Sequence, residues 1–414
     1  IRYKQYVRGL IYLLTQVGFF CFLKNFALQY LSKFSTLGTE TQRKVWNEDL
    51  QIYQRFPGDN SMLILLYSVL SLAVIAVFLY IWYANIRDSW HAQENLREGR
   101  KIAGFRDDLH SLTHERFHIT LLSMPMLTLV LFTLLPIIFM ILIAFTNFDA
   151  DHQPPGNLFT WVGMTNVTDI FLGNEIKTNT FFGLLGWTIV WAIFATFTNY
   201  ILGMLLAVAI NSKLVKLKQV WRTCFVIAIA IPQFVSLLLI SRALEPAGAV
   251  NVLLQELGLI SAPLPFLLDP TLARIVVVVV NMWIGIPYTM MTFSGVLMNI
   301  PSDLYESAEI DGAGPVRRFF KIVLPMITPI FFFNLVNQTI GAFQAFNSSY
   351  LISQGKPLNT TLYYGLHLYN RAFTYYEMGY GSAMAWFMLL VIAVFTTLIF
   401  RSSSAWVYYE SEGK

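Results

Sequence analysis

Residues Pro301 to Pro325 read PSDLYESAEIDGAGPVRRFFKIVLP, a short polar stretch between two long apolar segments. The stretch predicts helix, sharp turn, helix. Ser302 suits an N-cap, and Asp303 follows it in the first turn, where the helix dipole favours an anion. Leu304, Ser307, Ala308 and Asp311 recur at helical spacing and share one face. Gly312 and Gly314 end the helix, and Pro315 suits the first position of the next one. A small-residue face with acids beside it suits close docking into a groove on another protein. The plainer alternative is an ordinary amphipathic loop between two membrane helices.

The composition around this stretch decides the class. Of 414 residues, 56% are hydrophobic and only 13% charged, with mean hydropathy +0.56. Soluble domains carry roughly 25% charged residues, so the sequence predicts an all-α polytopic membrane protein. The formal charge of +4, spread over loops, does not imply nucleic acid. Cys21 and Cys224 both lie in apolar stretches, which argues against a disulfide framework. No small-residue cleavage site follows the first apolar stretch, which is therefore expected to be a retained helix.

A hydrocarbon layer of about 30 Å needs roughly 20 apolar residues. Eight segments qualify: 9–31, 62–85, 119–147, 180–210, 222–242, 274–298, 324–347 and 379–401. The first is the most polar, with Gln16, Lys24 and Asn25, and Lys24 is close enough to the end to snorkel. Placing the N-terminus, loops 86–118, 211–221 (with Arg222 at its edge) and 299–323, and the C-terminus from Arg401 on one side puts 18 of the 28 Lys and Arg residues there. Only nine lie on the other side. The excess marks the first side as cytoplasmic, together with both termini and the Glu306 loop. The chain is thus expected to divide into N-terminal helices and a cytoplasmic linker (1–118), a core (119–401) and a cytoplasmic tail (402–414). Linker 86–118 holds His91, His110, His114 and His118. Three of them repeat at helical spacing, but with no cysteine nearby and charges of mixed sign around them, a solvated helix is expected rather than a metal site.

The Pro301–Pro325 stretch resembles a known family. Glu306-Ser307-Ala308, Gly312 after three intervening residues, and Ile322, Leu324 and Pro325 match the EAA loop of ABC-importer permeases at every spacing. Trp283-Ile284-Gly285-Ile286-Pro287-Tyr288, Tyr305 and Ile310-Asp311-Gly312-Ala313-Gly314 match too. The likeness runs from roughly Leu121 to Phe400 and points to MalF-like subunits of maltose/maltodextrin importers. Ser307 and Lys356 depart from the usual pattern. The resemblance implies a type I ABC importer permease fold in a bacterial cytoplasmic membrane. It implies coupling to an ATPase through Glu306, Ser307, Ala308, Asp311 and Gly312. Its implied partners are a second, distinct MalG-like permease subunit, an ATPase dimer that carries the ATP and Mg, and an extracellular sugar-binding protein.

The residues limit the energy source independently. Apart from Lys24, no Asp, Glu, Lys or Arg lies deep in a span, whereas ion-coupled carriers usually need one there. There is no Gly-x4-Gly-Lys-Ser/Thr phosphate loop and no nucleophile–base pair, so no enzyme and no cofactor of its own is expected. A neutral polar solute fits the uncharged candidates. Gln233 is in the fifth segment; Asn281, Gly285 and Tyr288 share a face of the sixth; Asn334, Asn337, Gln338 and Gln344 make the seventh unusually polar. The resemblance implies sugar contacts at Asn281, Ile284, Gly285, Tyr288, Gln338 and Gly341, while Gln233 and Gln344 rest on polarity alone. The competing role for all of these is glue between helices. Other readings still open are a permease for another solute, an ion-coupled carrier or channel, and a membrane protein without transport.

Overall fold

The computed structural model describes residues 6–48, 50–100, 104–173, 175–212, 215–344 and 346–401; the expected tail 402–414 lies outside them. The chain divides into two units, residues 1–169 with 371–386, and residues 170–370 with 387–414.

In the first unit, α1 (Tyr6–Leu31) is followed by a hairpin of β1 (Arg43–Asn47) and β2 (Ile52–Phe56), then α2 (Ser61–Arg97), α3 (Phe105–Thr113) and α4 (Phe117–Ile143). The hairpin is antiparallel, with Trp46 opposite Tyr53 and their rings 4.9 Å apart, edge to face. It lies in the polar stretch 32–61 between the first two apolar segments, where the all-α expectation held no strand. Asp59 clasps its base. The carboxylate takes the Lys33 ammonium at 2.5 Å and the backbone N–H groups of Thr39 and Glu40 at 3.0 and 3.3 Å. Asn60 then caps α2 by accepting the Leu63 N–H at 3.2 Å. Leu37, Ile64, Leu65, Ile143 and Phe159 form a small core beneath. Trp161 closes it by donating to the Phe34 carbonyl at 2.9 Å, and Asn166 donates to the Ala144 and Thr146 carbonyls at 2.9 and 2.7 Å. Helix α4 has a π turn at Val130–Leu134 just ahead of Pro136, the local adjustment a helix makes where a proline withholds its N–H. In the linker the His110 and His114 rings stack 4.0 Å apart. No group of three or more metal-ligating side chains occurs among the described residues.

Helix α5 (Thr165–Leu172) leads into the second unit, which holds α6 (Glu175–Asn211), α7 (Lys218–Ala230), α8 (Gln233–Ala243), α9 (Ala249–Glu256) and α10 (Pro270–Leu297). After them come α11 (Ser302–Ile310), α12 (Pro315–Ile327), α13 (Phe332–Phe343) and α14 (Tyr364–Tyr369). Helix α15 (Met378–Arg401) gives its first turns to one unit and the rest to the other. Among the described residues six helices are long and apolar enough to cross a membrane, and the total is eight if each of two bent pairs counts as one span. All eight expected segments therefore fall on helices, but two are not straight. The segment 222–242 bends by 86° between α7 and α8, and α12 meets α13 at 73°. At the first bend Ile231 is extended and Pro232 follows it; a proline forces its predecessor out of helical geometry.

Helix α10 starts at Pro270, ahead of the expected apolar segment 274–298. Asp269 accepts the Thr271 and Leu272 N–H groups at 2.9 and 2.8 Å, with Pro270 as first helical residue. Its face against α6 is cut to fit. A Cβ at Gly203 would fall 2.5 Å from the Thr289 Cβ, and one at Gly285 would fall 2.1 Å from the Asn199 amide nitrogen. Small residues let helix backbones approach where lipid gives no hydrophobic drive to associate.

Burial alone would raise the Asp59 pKa, but the Lys33 ammonium and the two N–H groups outweigh it and hold it below the usual carboxylate range. The clasp is thus complete above the unfolded carboxylate's pKa and is lost as pH falls through the depressed folded value. Asp59→Asn is expected to speed hydrogen exchange at the Thr39 and Glu40 amides at neutral pH. The gap from wild type should close as pH drops below about 4.

Candidate functional site

The polar stretch forms a closed, exposed element. Helix α11 begins at Ser302, with Pro301 in the capping position. This corrects the expected cap: Ser302 is already helical, and its hydroxyl donates to Asp303 Oδ1 at 3.3 Å. Proline's fixed φ (−57° at Pro301, with ψ 134°) makes the turn one residue earlier. Asp303 stands in the first turn as expected. At the other end Gly312 takes φ +73°. Its N–H donates to the Glu309 carbonyl at 3.1 Å, and the Ala313 N–H donates to the Ala308 carbonyl at 2.9 Å. These are the paired closing bonds of a glycine-terminated helix. Pro315 then starts α12.

The faces of α11 differ. Glu306, Ser307, Asp311 and Gly312 are exposed and Ala308 is half-buried. Glu306 has no ion-pair partner among the described residues, while Glu309 meets Arg318 at 3.4 Å. Ile310 is 87% exposed. Tyr305 points the other way and packs on a core of Tyr200, Ala207, Ile210, Met290, Phe293, Ile300, Val323, Ile327 and Leu335. The core joins α6, α10, α12 and α13, so the loop is seated on a cluster that four helices share.

Beside it, Asn211 at the end of α6 links three helices. Its amide N–H donates to the Ala207 carbonyl at 2.8 Å and to Ser294 Oγ on α10 at 3.1 Å. Its side-chain oxygen accepts from Arg222 of α7 at 2.5 Å, and its backbone carbonyl accepts from Lys218 at 2.9 Å. Sequence reading missed this group. Lys218 and Arg222 read as anchors at a membrane edge, and nothing local ties them to Ser294.

The expected substrate residues fall into two sets. On α10, Asn281, Ile284 and Gly285 are half-buried, and Tyr288 is 56% exposed. One side of Gly285 is filled by Asn199 rather than left open. Gln338 of α13 joins this set by donating to Thr289 Oγ1 at 2.7 Å, and that hydroxyl donates to the Gly285 carbonyl at 2.9 Å. Gln233, Gly341 and Gln344 are exposed and share no hydrogen bond with the set. Gln233 opens α8 just after the bend, and Gln344 is the C-cap after Phe343. Asn199 and Thr289 were not singled out in the sequence.

The chain thus presents an exposed helix seated on a core shared by four apolar helices, and a seam of amides and hydroxyls between α10 and α13. Comparison with known proteins gives the family. Residues 199–406 match the binding-protein-dependent transport system inner membrane component. The galactooligosaccharides transport system permease protein GanP of Bacillus subtilis is 30% identical over 359 residues, 86% of this chain and 82% of that protein. The chain belongs to that family. The maltodextrin transport system permease protein MalC of Streptococcus pneumoniae is likewise 30% identical, over 86% of this chain and 80% of its own length. Among solved structures, a bacterial ABC transporter involved in import of the acidic polysaccharide alginate aligns with TM-score 0.60. It is 21% identical and covers 71% of this chain and 96% of that one. The MalF-like resemblance and the ABC permease fold are both borne out. The subunit is a multi-pass inner-membrane component and not an enzyme.

Asn211→Leu would leave the Arg222 guanidinium without its acceptor, a loss of about 1.5–3 kcal/mol for a hydrogen bond to a charged group. The expected result is a clear drop in melting temperature in detergent. Ser294→Ala, which removes only a neutral bond worth about 0.5–1.5 kcal/mol, should lower it less.

Proposed function

We propose that this chain is one of two permease subunits of an ATP-driven importer for neutral oligosaccharides of the maltodextrin type. The observation that carries the reading is the α11 loop: a rigid, capped, exposed helix whose Tyr305 is rooted in the helix core. In this reading two ATPase subunits, which bind the ATP and Mg, grip this loop and its counterpart on a distinct MalG-like subunit. Glu306 pairs with a basic group on the ATPase. ATP-driven closure moves Leu304–Gly312 as a body and switches the helices between inward- and outward-facing states. An extracellular binding protein delivers the sugar. A relative in fold was solved in complex with an alginate pentasaccharide-bound periplasmic protein, which supports a partner of this kind. The Lys/Arg excess supports a cytoplasmic placement for the loop and both termini.

The substrate class follows from side chains. Asn281, Tyr288, Thr289 and Gln338 offer amides and hydroxyls without a charge among them, which suits sugar hydroxyls and not an anion. Relatives named for maltodextrins support the finer choice, and the galactooligosaccharide relative, equally identical, supports a second.

Uptake of labelled maltotriose and of a galactotriose would be measured in proteoliposomes, with the purified complex, ATP inside and the binding protein outside. ATP-dependent maltotriose uptake is expected. Uptake of the galactotriose alone would replace the substrate, and uptake without ATP would remove the importer. Glu306→Lys should abolish uptake while membrane insertion is unchanged. Gly312→Val, which forces a branched side chain into left-handed backbone at about 1–2 kcal/mol, should weaken copurification of the ATPase.

A further inference from the structure

Asn199 lies within α6, an apolar helix, and is only 8% exposed. Its amide rests on the Cα of Gly285, so closely that a Cβ at 285 would stand 2.1 Å from Nδ2 and 2.4 Å from Cγ. One turn further on, Gly203 gives the same room to Thr289. Thr289 in turn holds the Gly285 carbonyl and accepts from Gln338. Asn199 therefore sits at the start of a line of contacts from α6 through α10 to α13. The part of α10 it touches carries Asn281 one turn before Gly285 and Tyr288 just after.

If this side chain only filled space, asparagine would be a poor choice. Its Oδ1 is buried and makes no hydrogen bond. A buried acceptor left unpaired costs about 1–3 kcal/mol, and leucine of nearly the same shape would avoid that cost. Two other atoms of the seam are in the same condition, Gln338 Oε1 and Asn281 Nδ2. Two acceptors and a donor on neighbouring helices are what a polyhydroxylated, uncharged solute can pair with, since each hydroxyl both donates and accepts.

We infer that Asn199, seated on Gly285, is a specificity-determining positioning residue of the pathway: it sets how α10 presents Asn281 and Tyr288 to an oligosaccharide. The inference rests on the sugar-importer reading above and adds a residue on a helix outside the expected substrate set.

The test uses the complete importer in liposomes, with saturating liganded binding protein, and reads sugar uptake and binding-protein-stimulated ATP hydrolysis side by side. Asn199→Leu is expected to cut maximal maltotriose uptake about tenfold, to shift the maltotriose-to-maltose rate ratio by about fivefold, and to leave hydrolysis within about twofold. Gly285→Ala, which expels the amide from its seat, should give the same split. Asn199→Ser combined with Gly285→Ala restores room and should recover most of the uptake. Hydrolysis and uptake falling together in both single variants would make Asn199 a packing or coupling residue and overturn the inference. So would unchanged uptake and ratio, or a double variant no better than Gly285→Ala when Asn199→Leu fails to assemble. Wild-type complex that hydrolyses ATP yet takes up neither sugar would instead bring down the maltodextrin reading, and the inference with it.

Discussion

The close approach of α6 and α10 is the constraint on which the second unit depends. Within a lipid layer, hydrocarbon side chains gain little by leaving lipid for one another, so helices adhere through shape and through hydrogen bonds. Here shape comes from two glycines that receive a threonine and an asparagine from the facing helix. Tyr200 and Phe293 then meet edge to face at 5.1 Å, deeper along the same contact. Both rings belong to the core that receives Tyr305. Helix α10 thus carries both residues of the core on which Tyr305 packs, Met290 and Phe293, and the candidate substrate residues Asn281 and Tyr288.

The proposed coupling role asks for a firm seat, since a docking helix on a slack tether would transmit nothing. Helix α11 has its far end closed by backbone bonds at Gly312, its near end turned by Pro301, and its middle anchored by Tyr305. The Asn211, Ser294 and Arg222 group stitches the adjoining helix ends together. In the proposed importer, a push on the exposed face would reach helices already tied to one another, the condition for rigid-body switching rather than local deformation.

What the sequence disclosed follows from how local each signal is. Gly312, Gly314 and Pro315 punctuate the chain by their own backbone preferences, so the helix–turn–helix was legible directly. The eight apolar segments were equally plain, since span length is a sum over neighbours. The bend at Pro232 was less so, because a proline in a membrane helix can be absorbed, as Pro136 is by a π turn. The hairpin at 43–56 left little trace: nearly every residue of both strands is exposed, so no apolar alternation marks a buried face. Ser302 was misplaced by one residue because Pro301 sets the turn. Asn199 was invisible for a different reason. It is one amide in a long apolar run, and its partner, Gly285, lies 86 positions away along the chain, with no side chain to betray the fit.

The exposed face of α11 also bears on how such a subunit is policed in the cell. Ile310 and, just beyond the turn, Val316 stand 87% and 71% exposed on a hydrophilic loop. Each aliphatic side chain left in water forgoes about 1.5–3 kcal/mol of burial. In the proposed importer, a copy whose α11 face is docked would hide these groups, and an orphan copy would display them. On that reading the docking surface would double as a flag of incomplete assembly, legible to proteases and chaperones that read exposed aliphatic residues.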